Sequence, residues 1–252
     1  MPYLILSDVH GNREALEAVM EDAQDRYDRL LCLGDLVGYG ADPNYVTTWA
    51  KTHASTAIRG NHDRICAGLE SLEAYHPAAR ASAEWTRRAL SEASSAHLRN
   101  LPGGPLRAGA EESRRVFDDF DLVHGSPADE DEYLVDTGDI APIRERLDAQ
   151  LTFFGHTHIQ GGFLLTRGGI RRIAPAAASA EIELEPDHYY LINPGSVGQP
   201  RDRDPRAAYA IYTPEDRTVQ FRRARYDIDA AAGKILQAGL PPLLAARLYE
   251  GT

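Results

Sequence analysis

What the chain lacks narrows it first. Its 252 residues include only two cysteines, Cys32 and Cys66, so no disulfide framework is available. Both lie in apolar surroundings and read as inert reduced thiols, which predicts a reducing, cytoplasmic setting. No apolar run approaches the ~20 residues that a membrane-spanning helix needs. The opening Met1-Pro2-Tyr3-Leu4-Ile5-Leu6 has no basic flank and meets Ser7-Asp8 at once, so it does not read as a secretory leader. Basic charge is also short: 27 Lys and Arg stand against 38 Asp and Glu, a net charge of −11. This balance argues against an extended nucleic-acid groove, whose affinity comes from Lys and Arg at phosphates. Taken alone, it argues against any phosphate-bearing substrate as well. Internal repeats, low-complexity segments and Pro/Ser-rich linkers are missing too; 174–180 is only a small Ala-rich loop. What remains, 43% hydrophobic and 26% charged residues, is ordinary globular composition. The chain is long enough for a sizeable core, and one domain over 1–252 is expected.

The first half alternates strands and helices. Tyr3-Leu4-Ile5-Leu6 is a short buried-strand run ending at a polar turn. Asn12 is placed to cap a helix whose apolar set is Ala15, Leu16, Val19, Met20 and Ala23. A second strand covers 29–33, Asp42-Pro43 opens a second helix with Asp as cap, and a third strand covers 55–58. Residues 69–101 read as a mainly helical insertion over the sheet or beside the site, starting a helix at Pro77 and stopping at Leu101-Pro102-Gly103-Gly104-Pro105. Strands return at 121–123, 151–154, 162–166, 170–173, 189–192, 208–212 and 219–225, and two short helices near 228–238 and 241–249 follow. The first half is thus βαβαβ and the second mostly strands. The expected class is α/β, a four-layer α/β/β/α sandwich of two mixed sheets flanked by helices.

Polar clusters share one placement, just after an apolar strand. Asp8-Val9-His10 follows the first strand, Gly34-Asp35 the second, Gly60-Asn61-His62-Asp63 the third, His124 the run at 121–123, and His156-Thr157-His158 the run at 151–154. In α/β sheets, ligands collect outside the carboxyl ends of strands, so five loops converge on one place. Asp-x-His and His-x-His each put two side chains on the same side of an extended chain, where they can chelate one ion. A lone Asp after a strand is usually a turn residue or cap; this ordered set is not explained that way. Carboxylate, amide and imidazole without thiolate suit Mn, Fe, Zn and similar cations. Seven candidates, Asp8, His10, Asp35, Asn61, His124, His156 and His158, are too many for one four-coordinate site. They fit two metals sharing a bridge, a device that clamps the attacking and leaving oxygens of a phosphoester.

This series resembles the calcineurin-like metallophosphoesterase superfamily. The run Asn193-Pro194-Gly195-Ser196-Val197-Gly198-Gln199-Pro200-Arg201 is similar to the small bacterial and archaeal phosphodiesterase-like branch, and to proteins labelled as relatives of diadenosine tetraphosphatase. The resemblance implies that Asp8, His10 and His158 bind one metal, that Asn61, His124 and His156 bind a second, and that Asp35 bridges them. It implies two divalent ions, Mn²⁺ first with Fe, Zn, Ni or Co as substitutes, and a bridging hydroxide that attacks a phosphodiester. His62 matches the histidine that protonates or stabilises the leaving oxygen. Asp63 is expected to orient His62 and favour its protonated form. The rivals are a phosphomonoesterase, whether protein phosphatase, nucleotide phosphatase or dinucleoside polyphosphate hydrolase, and a scaffold that keeps the fold without catalysis. The intact His62 and ligand set speak for an enzyme.

Weaker signals complete the reading. Arg201 and Arg203, in a Gly/Pro/Asp-rich loop, are candidates for contact with substrate phosphate. Arg59 reads as a structural ion-pair partner, Tyr39 as a cleft or packing residue, and Asp129-Glu130-Asp131-Glu132 as a solvated acidic loop. His53, His76, His97 and His188 read as surface or local structure. The expected partner is a small phosphoester, without membrane or extended nucleic acid; the terminal helix with Leu240, Leu243, Leu244 and Leu248 has a face for the body or for a second copy.

Overall fold

A computed structural model describes residues 1–73, 75–109, 117–175 and 179–252. The Ala-rich loop at 174–180 falls partly outside them. The first half runs β1 (Tyr3–Leu6), α1 (Arg13–Asp22), β2 (Arg29–Cys32), α2 (Pro43–His53), β3 (Thr56–Ala57), α3 (Asn61–Cys66), α4 (Pro77–Ala89) and α5 (Glu92–Arg99). Then come β4 (Leu106–Gly109), β5 (Asp119–Leu122), α6 (Thr137–Ile143), β6 (Leu151–Phe153), β7 (Gly161–Thr166), β8 (Gly169–Ile173), β9 (Ser179–Glu183), β10 (Tyr189–Asn193), β11 (Ala207–Thr213) and β12 (Thr218–Ala224). Helices α7 (Ile228–Gln237) and α8 (Pro242–Glu250) follow.

Local rules account for several boundaries. Asn12 caps α1 by accepting from Ala15 N–H at 3.1 Å. Asp42 sits at the cap of α2 but makes no capping bond; its carboxylate accepts instead from Lys234 Nζ at 2.6 Å. The pull of a cation on α7 outweighs the cap. Helix α6 begins with a reciprocal Asp136/Asp139 capping box, despite Gly138 and Pro142. The edge strands β4 and β9 have no long apolar run; pairing with β5 and β12 makes them strands.

The strands form two mixed sheets. One has the order β3-β2-β1-β11-β12-β9, the other β4-β5-β6-β10-β7-β8. Their facing sides share one core containing Ile5, Leu31, Phe120, Leu122, Phe153, Ile192, Tyr212 and Phe221. The outer face of the first sheet buries Leu4, Leu6 and Leu30 against Leu16, Val19 and Val46 of α1 and α2. The outer face of the second packs Phe163, Leu165 and Leu191 under Ile140 and Ile143 of α6. This is the expected four-layer arrangement.

Each sheet contains three parallel neighbours. In the first, β1 pairs parallel with β2 and β2 with β3. In the second, β6 pairs parallel with both β5 and β10. Six carboxyl ends therefore open toward one region, which is what positions the site.

Candidate metal centre

The loops after these strands are stitched by main-chain bonds. His10 N–H donates to the Asp35 carbonyl at 2.9 Å, Gly198 N–H to the Asp8 carbonyl at 2.9 Å, and Gly155 N–H to the His124 carbonyl at 2.8 Å. Asp8, His10, Asp35, His156 and His158 all have φ between 50° and 63°. Left-handed backbone costs ~1–3 kcal/mol at a non-glycine residue and is held only when the surroundings over-determine it. Asp8-x-His10 and His156-x-His158 thus converge through paired left-handed kinks, not through the extended spacing expected from sequence.

Two carboxylates organise the cluster, and both are almost fully buried. Asp8 Oδ2 accepts from His156 N–H at 3.2 Å, and Asp35 Oδ1 accepts from His62 N–H at 2.8 Å. Each thus has one oxygen fixed by the main chain of another loop. The remaining oxygens, Asp8 Oδ1 and Asp35 Oδ2, are buried without a hydrogen bond among the described residues. Around them, His158 Nε2 lies 3.2 Å from Asp8 Oδ1, and His124 Nε2 and His10 Nε2 lie 3.4 and 3.6 Å from Asp35 Oδ2. Asp8, His10, Asp35 and His158 form one group able to hold an ion, and Asp35, His124 and His156 a second, with Asp35 common to both. The Asn61 amide oxygen joins the second group, 3.2 Å from His124 Nε2.

Carbonyl oxygens only accept, so they set which nitrogen of each ring donates. Nδ1 of His10, His124 and His158 donates to the carbonyls of Val37, Leu33 and Gln199 at 3.0, 2.8 and 2.6 Å. Their Nε2 atoms face the cluster. His156 is reversed: Nε2 donates to the Asp131 carbonyl at 3.2 Å, which leaves Nδ1 as its ligand atom. His10 Nε2 and His158 Nε2 are 3.1 Å apart, so two lone pairs face one another and require a proton or cation between them. Together with the orphaned carboxylate oxygens, this donor set fits bound metal.

The electrostatics agree. Burial opposes charge on His124, yet Asp35 and Asp8 outweigh it and push its pKa up to about 10. Burial also opposes ionisation of Asp8 and Asp35, but the imidazoles beside them hold both carboxyls well below the usual range. Burial lowers His10 well below its ordinary value and takes His156 down to about 3. Buried carboxylates and imidazoles are thus strongly coupled in this pocket.

His62 and Asp63 depart from expectation. Asp63 does not orient His62: its carboxylate accepts from Gly60 N–H at 3.1 Å and Val37 N–H at 3.2 Å, closing the turn that starts α3. Burial, with the Asp35 charge close by, raises Asp63 to about 7. The His62 ring packs against Tyr39 and His10, with centroids 4.4 and 5.0 Å away, and Nδ1 has no hydrogen-bond partner. Burial takes it down to about 4 against the pull of Asp35, so it is neutral near pH 7. Two glycines are required here. A Cβ at Gly60 would collide with Asp35 Oδ1, and one at Gly38 would come within 2.6 Å of His62 Nδ1.

The cluster opens onto a cleft of about 380 Å³ lined by Tyr39, Asn61, His62, Tyr133 and His156, with Tyr75, His76 and Ala79 from the helical segment on its far side. His76, expected to be only local structure, both caps α4 through Ala78 N–H and faces this cleft. Arg201 lies at the cleft, 3.4 Å from the Tyr39 hydroxyl and 5.8 Å from its ring, with no ion pair among the described residues. Arg203 is exposed, and its N–H donates to the Gly251 carbonyl at 2.8 Å. The acidic run 129–132 is not simply solvated: Glu130 pairs with Arg59 and Arg64, as Arg59 was expected to find a partner.

Sequence reasoning missed the supports. Asn193 Nδ2 donates to the Gly155 carbonyl and Thr157 Oγ1 at 2.8 and 3.0 Å, holding the His156–His158 loop. Ser196 Oγ donates to the Asp8 carbonyl at 2.8 Å. Their only signal was the motif run containing them. Free Cys32 and Cys66 are buried, as expected, and burial raises both thiols. Among the described residues, no helix is long and apolar enough to cross a membrane.

Two stacked sheets whose strand ends collect a buried Asp/His cluster able to hold metal define a candidate metal centre of the kind hydrolases use. Comparison with known proteins agrees: the calcineurin-like phosphoesterase superfamily domain matches residues 1–217. The chain belongs to that superfamily, whose members hydrolyse phosphoesters with divalent metals. It is similar to a metallophosphoesterase from Sphaerobacter thermophilus, with 36% identity and a TM-score of 0.85 over 100% of this chain and 99% of that one. It is also 33% identical to an uncharacterized protein of Methanocaldococcus jannaschii, over 98% of this chain and 97% of that protein. A hypothetical protein of Pyrococcus horikoshii shares the fold at 20% identity and a TM-score of 0.77, over 100% and 98% of the two chains.

Proposed function

We propose that the protein hydrolyses a small phosphodiester with two divalent ions, Mn²⁺ foremost. The carrying observation is the pair of ligand groups that share Asp35, beside a cleft that Asn61 and His156 line. Asp8, His10 and His158 would hold one ion, Asn61, His124 and His156 the other, and Asp35 both. When bound, such a pair supplies an activated water-derived nucleophile and neutralises charge on the phosphoryl oxygens. A diester is favoured because the cleft, about 380 Å³, is larger than a phosphate group alone needs and offers Tyr39, Tyr75 and Tyr133 as surfaces for ester arms.

The chain's own groups do the rest. Arg201, which makes no direct ion pair among the described residues, takes a non-bridging oxygen; exposed Arg203 is left out of this role. His62 faces the leaving oxygen and hydrogen-bonds it as a neutral ring, and an anionic phosphoryl group beside it raises its proton affinity. Asp63 acts through the turn it closes, positioning Asn61 and His62. We read the chain as one domain, since both sheets contribute to one centre, and as cytoplasmic, on the support of two buried free thiols.

The test is a substrate panel with Mn²⁺: bis-nitrophenyl phosphate, nitrophenyl phosphate, cyclic nucleotides, dinucleoside polyphosphates and a phosphopeptide. The diester arm should win on kcat/KM. A faster monoester would transfer the assignment to a phosphomonoesterase, and activity surviving exhaustive chelation would sink the two-metal reading altogether.

A further inference from the structure

Glu130, in the loop between β5 and α6, is placed where its charge serves no solvated surface. Its side chain is 15% exposed and lies between two guanidinium groups. Arg59 Nη2 donates to both its oxygens, at 3.1 and 3.3 Å, and Arg64 Nη1 donates to Oε1. Arg64 also donates to Asp131 Oδ2 at 2.6 Å and to Glu70 Oε2 at 2.7 Å. The two arginines bracket Gly60-Asn61-His62-Asp63, one immediately before it and one immediately after. Glu130 therefore crosslinks its own loop to both ends of the segment that presents Asn61.

The same loop covers His156. The Asp131 carbonyl accepts from His156 Nε2 at 3.2 Å, and the Tyr133 ring packs with its centroid 3.9 Å from the imidazole's. Asn61 and His156 come from different sheets, after β3 and after β6. The imidazoles of the first ligand group have no such dependence: His10 and His158 are oriented by the carbonyls of Val37 and Gln199.

We propose that Glu130 is a positioning residue for one metal only, the ion held by Asn61, His124 and His156. This rests on the two-metal reading above. With the Glu130 charge removed, two part-buried guanidinium groups face one another without their common anion. The loop is then tied to the Asn61 segment by the Arg64–Asp131 pair alone, so the Asp131 carbonyl is held less firmly against His156 Nε2 and the imidazole less firmly with Nδ1 toward the metal. Loss of such a ligand-orienting partner weakens metal binding by about 10–100-fold.

Glu130→Gln keeps shape and volume and removes only charge. Metal-depleted wild type and variant would be titrated with Mn²⁺ by calorimetry and examined by electron paramagnetic resonance. Wild type should take up two ions that couple magnetically. The variant should bind one with wild-type affinity and the second about 10–100-fold more weakly, and show isolated Mn²⁺ where wild type shows the coupled pair. Glu130→Asp should recover part of the second affinity. Two unchanged affinities in Glu130→Gln, or equal weakening of both, overturn the inference and leave the two-metal reading standing. A single ion on wild type overturns that reading itself. Should Glu130→Gln fail to fold, Arg59→Gln, which leaves the Arg64–Glu130 pair in place, is read by the same criteria.

Discussion

His124 should titrate near pH 10 in metal-free protein, far above its ordinary 6.5. Two routes give the same size for this effect. Moving an imidazole over that range corresponds to about 5 kcal/mol, at about 1.4 kcal/mol per tenfold change in proton affinity. Unit charges 3.4 Å apart, the separation of His124 Nε2 and Asp35 Oδ2, attract by about 5 kcal/mol at an effective dielectric of about 20. Because the folded pKa lies above the unfolded one, the stabilisation is complete below pH 6.5 and is lost as pH rises through about 10. Chelator-treated protein should therefore lose stability to urea across that window, by an amount on the order of 5 kcal/mol. Metal must displace the same proton, so affinity at the second ligand group should climb about tenfold per pH unit between neutrality and pH 10. The assay is imidazole titration by nuclear magnetic resonance on metal-depleted protein, in wild type and Asp35→Asn. The variant should bring His124 back toward or below 6.5. A wild-type value near 6.5, or one that Asp35→Asn leaves untouched, would refute the claim that Asp35 charges this ring.

Three other outcomes follow from the same geometry. Asn193→Ala strips the Gly155 carbonyl, Thr157 Oγ1 and Gly195 N–H of a fully buried partner, and should cost about 2–4 kcal/mol in denaturant unfolding; a change below about 0.5 kcal/mol would mean the His156–His158 loop holds itself. Gly60→Ala drives a methyl into Asp35 Oδ1 and should destabilise by about 1–3 kcal/mol while lowering Mn²⁺ stoichiometry, measured by unfolding and metal analysis. His62→Ala should reduce kcat by about 10²–10⁴ on a diester with an alkoxide leaving group but far less with nitrophenolate; equal losses on both would remove His62 from leaving-group stabilisation.

The first-half βαβαβ run was legible because each element carried its own period and punctuation. Tyr3–Leu6 is apolar and stops at a polar turn, and α1 has Asn12 and a repeating apolar face. What escaped had its cause elsewhere in the chain. Ser179–Glu183 has little apolar content and is a strand because β12 lends it a hydrogen-bonding edge. Helix α6 contains Gly138 and Pro142, and only its Asp136/Asp139 box marked it. Among site residues, the seven ligand candidates were visible because each stands a fixed few residues after a strand. Asp63 misled because adjacency to His62 is not contact: the helical turn aims its carboxylate back at Gly60 and Val37. Glu130 read as part of a solvated run because its two arginines are 71 and 66 residues away.

The sequence by itself determined the chemistry available to the centre: which side chains could hold metal, in what order, and after which strands. It also limited the meaning of the −11 charge, since under the two-metal reading Asp8 and Asp35 would hold cations and would not repel phosphate. Tertiary structure alone decided how those side chains act. It turned His156 to offer Nδ1 where three other histidines offer Nε2, left one oxygen each of Asp8 and Asp35 without a donor among the described residues, and set Arg201 beside Tyr39 of the cleft. These outcomes depend on carbonyls, amides and charges brought together from distant parts of the chain. Local spacing has no means of expressing them, because hydrogen bonds and Coulomb forces act on distance in space.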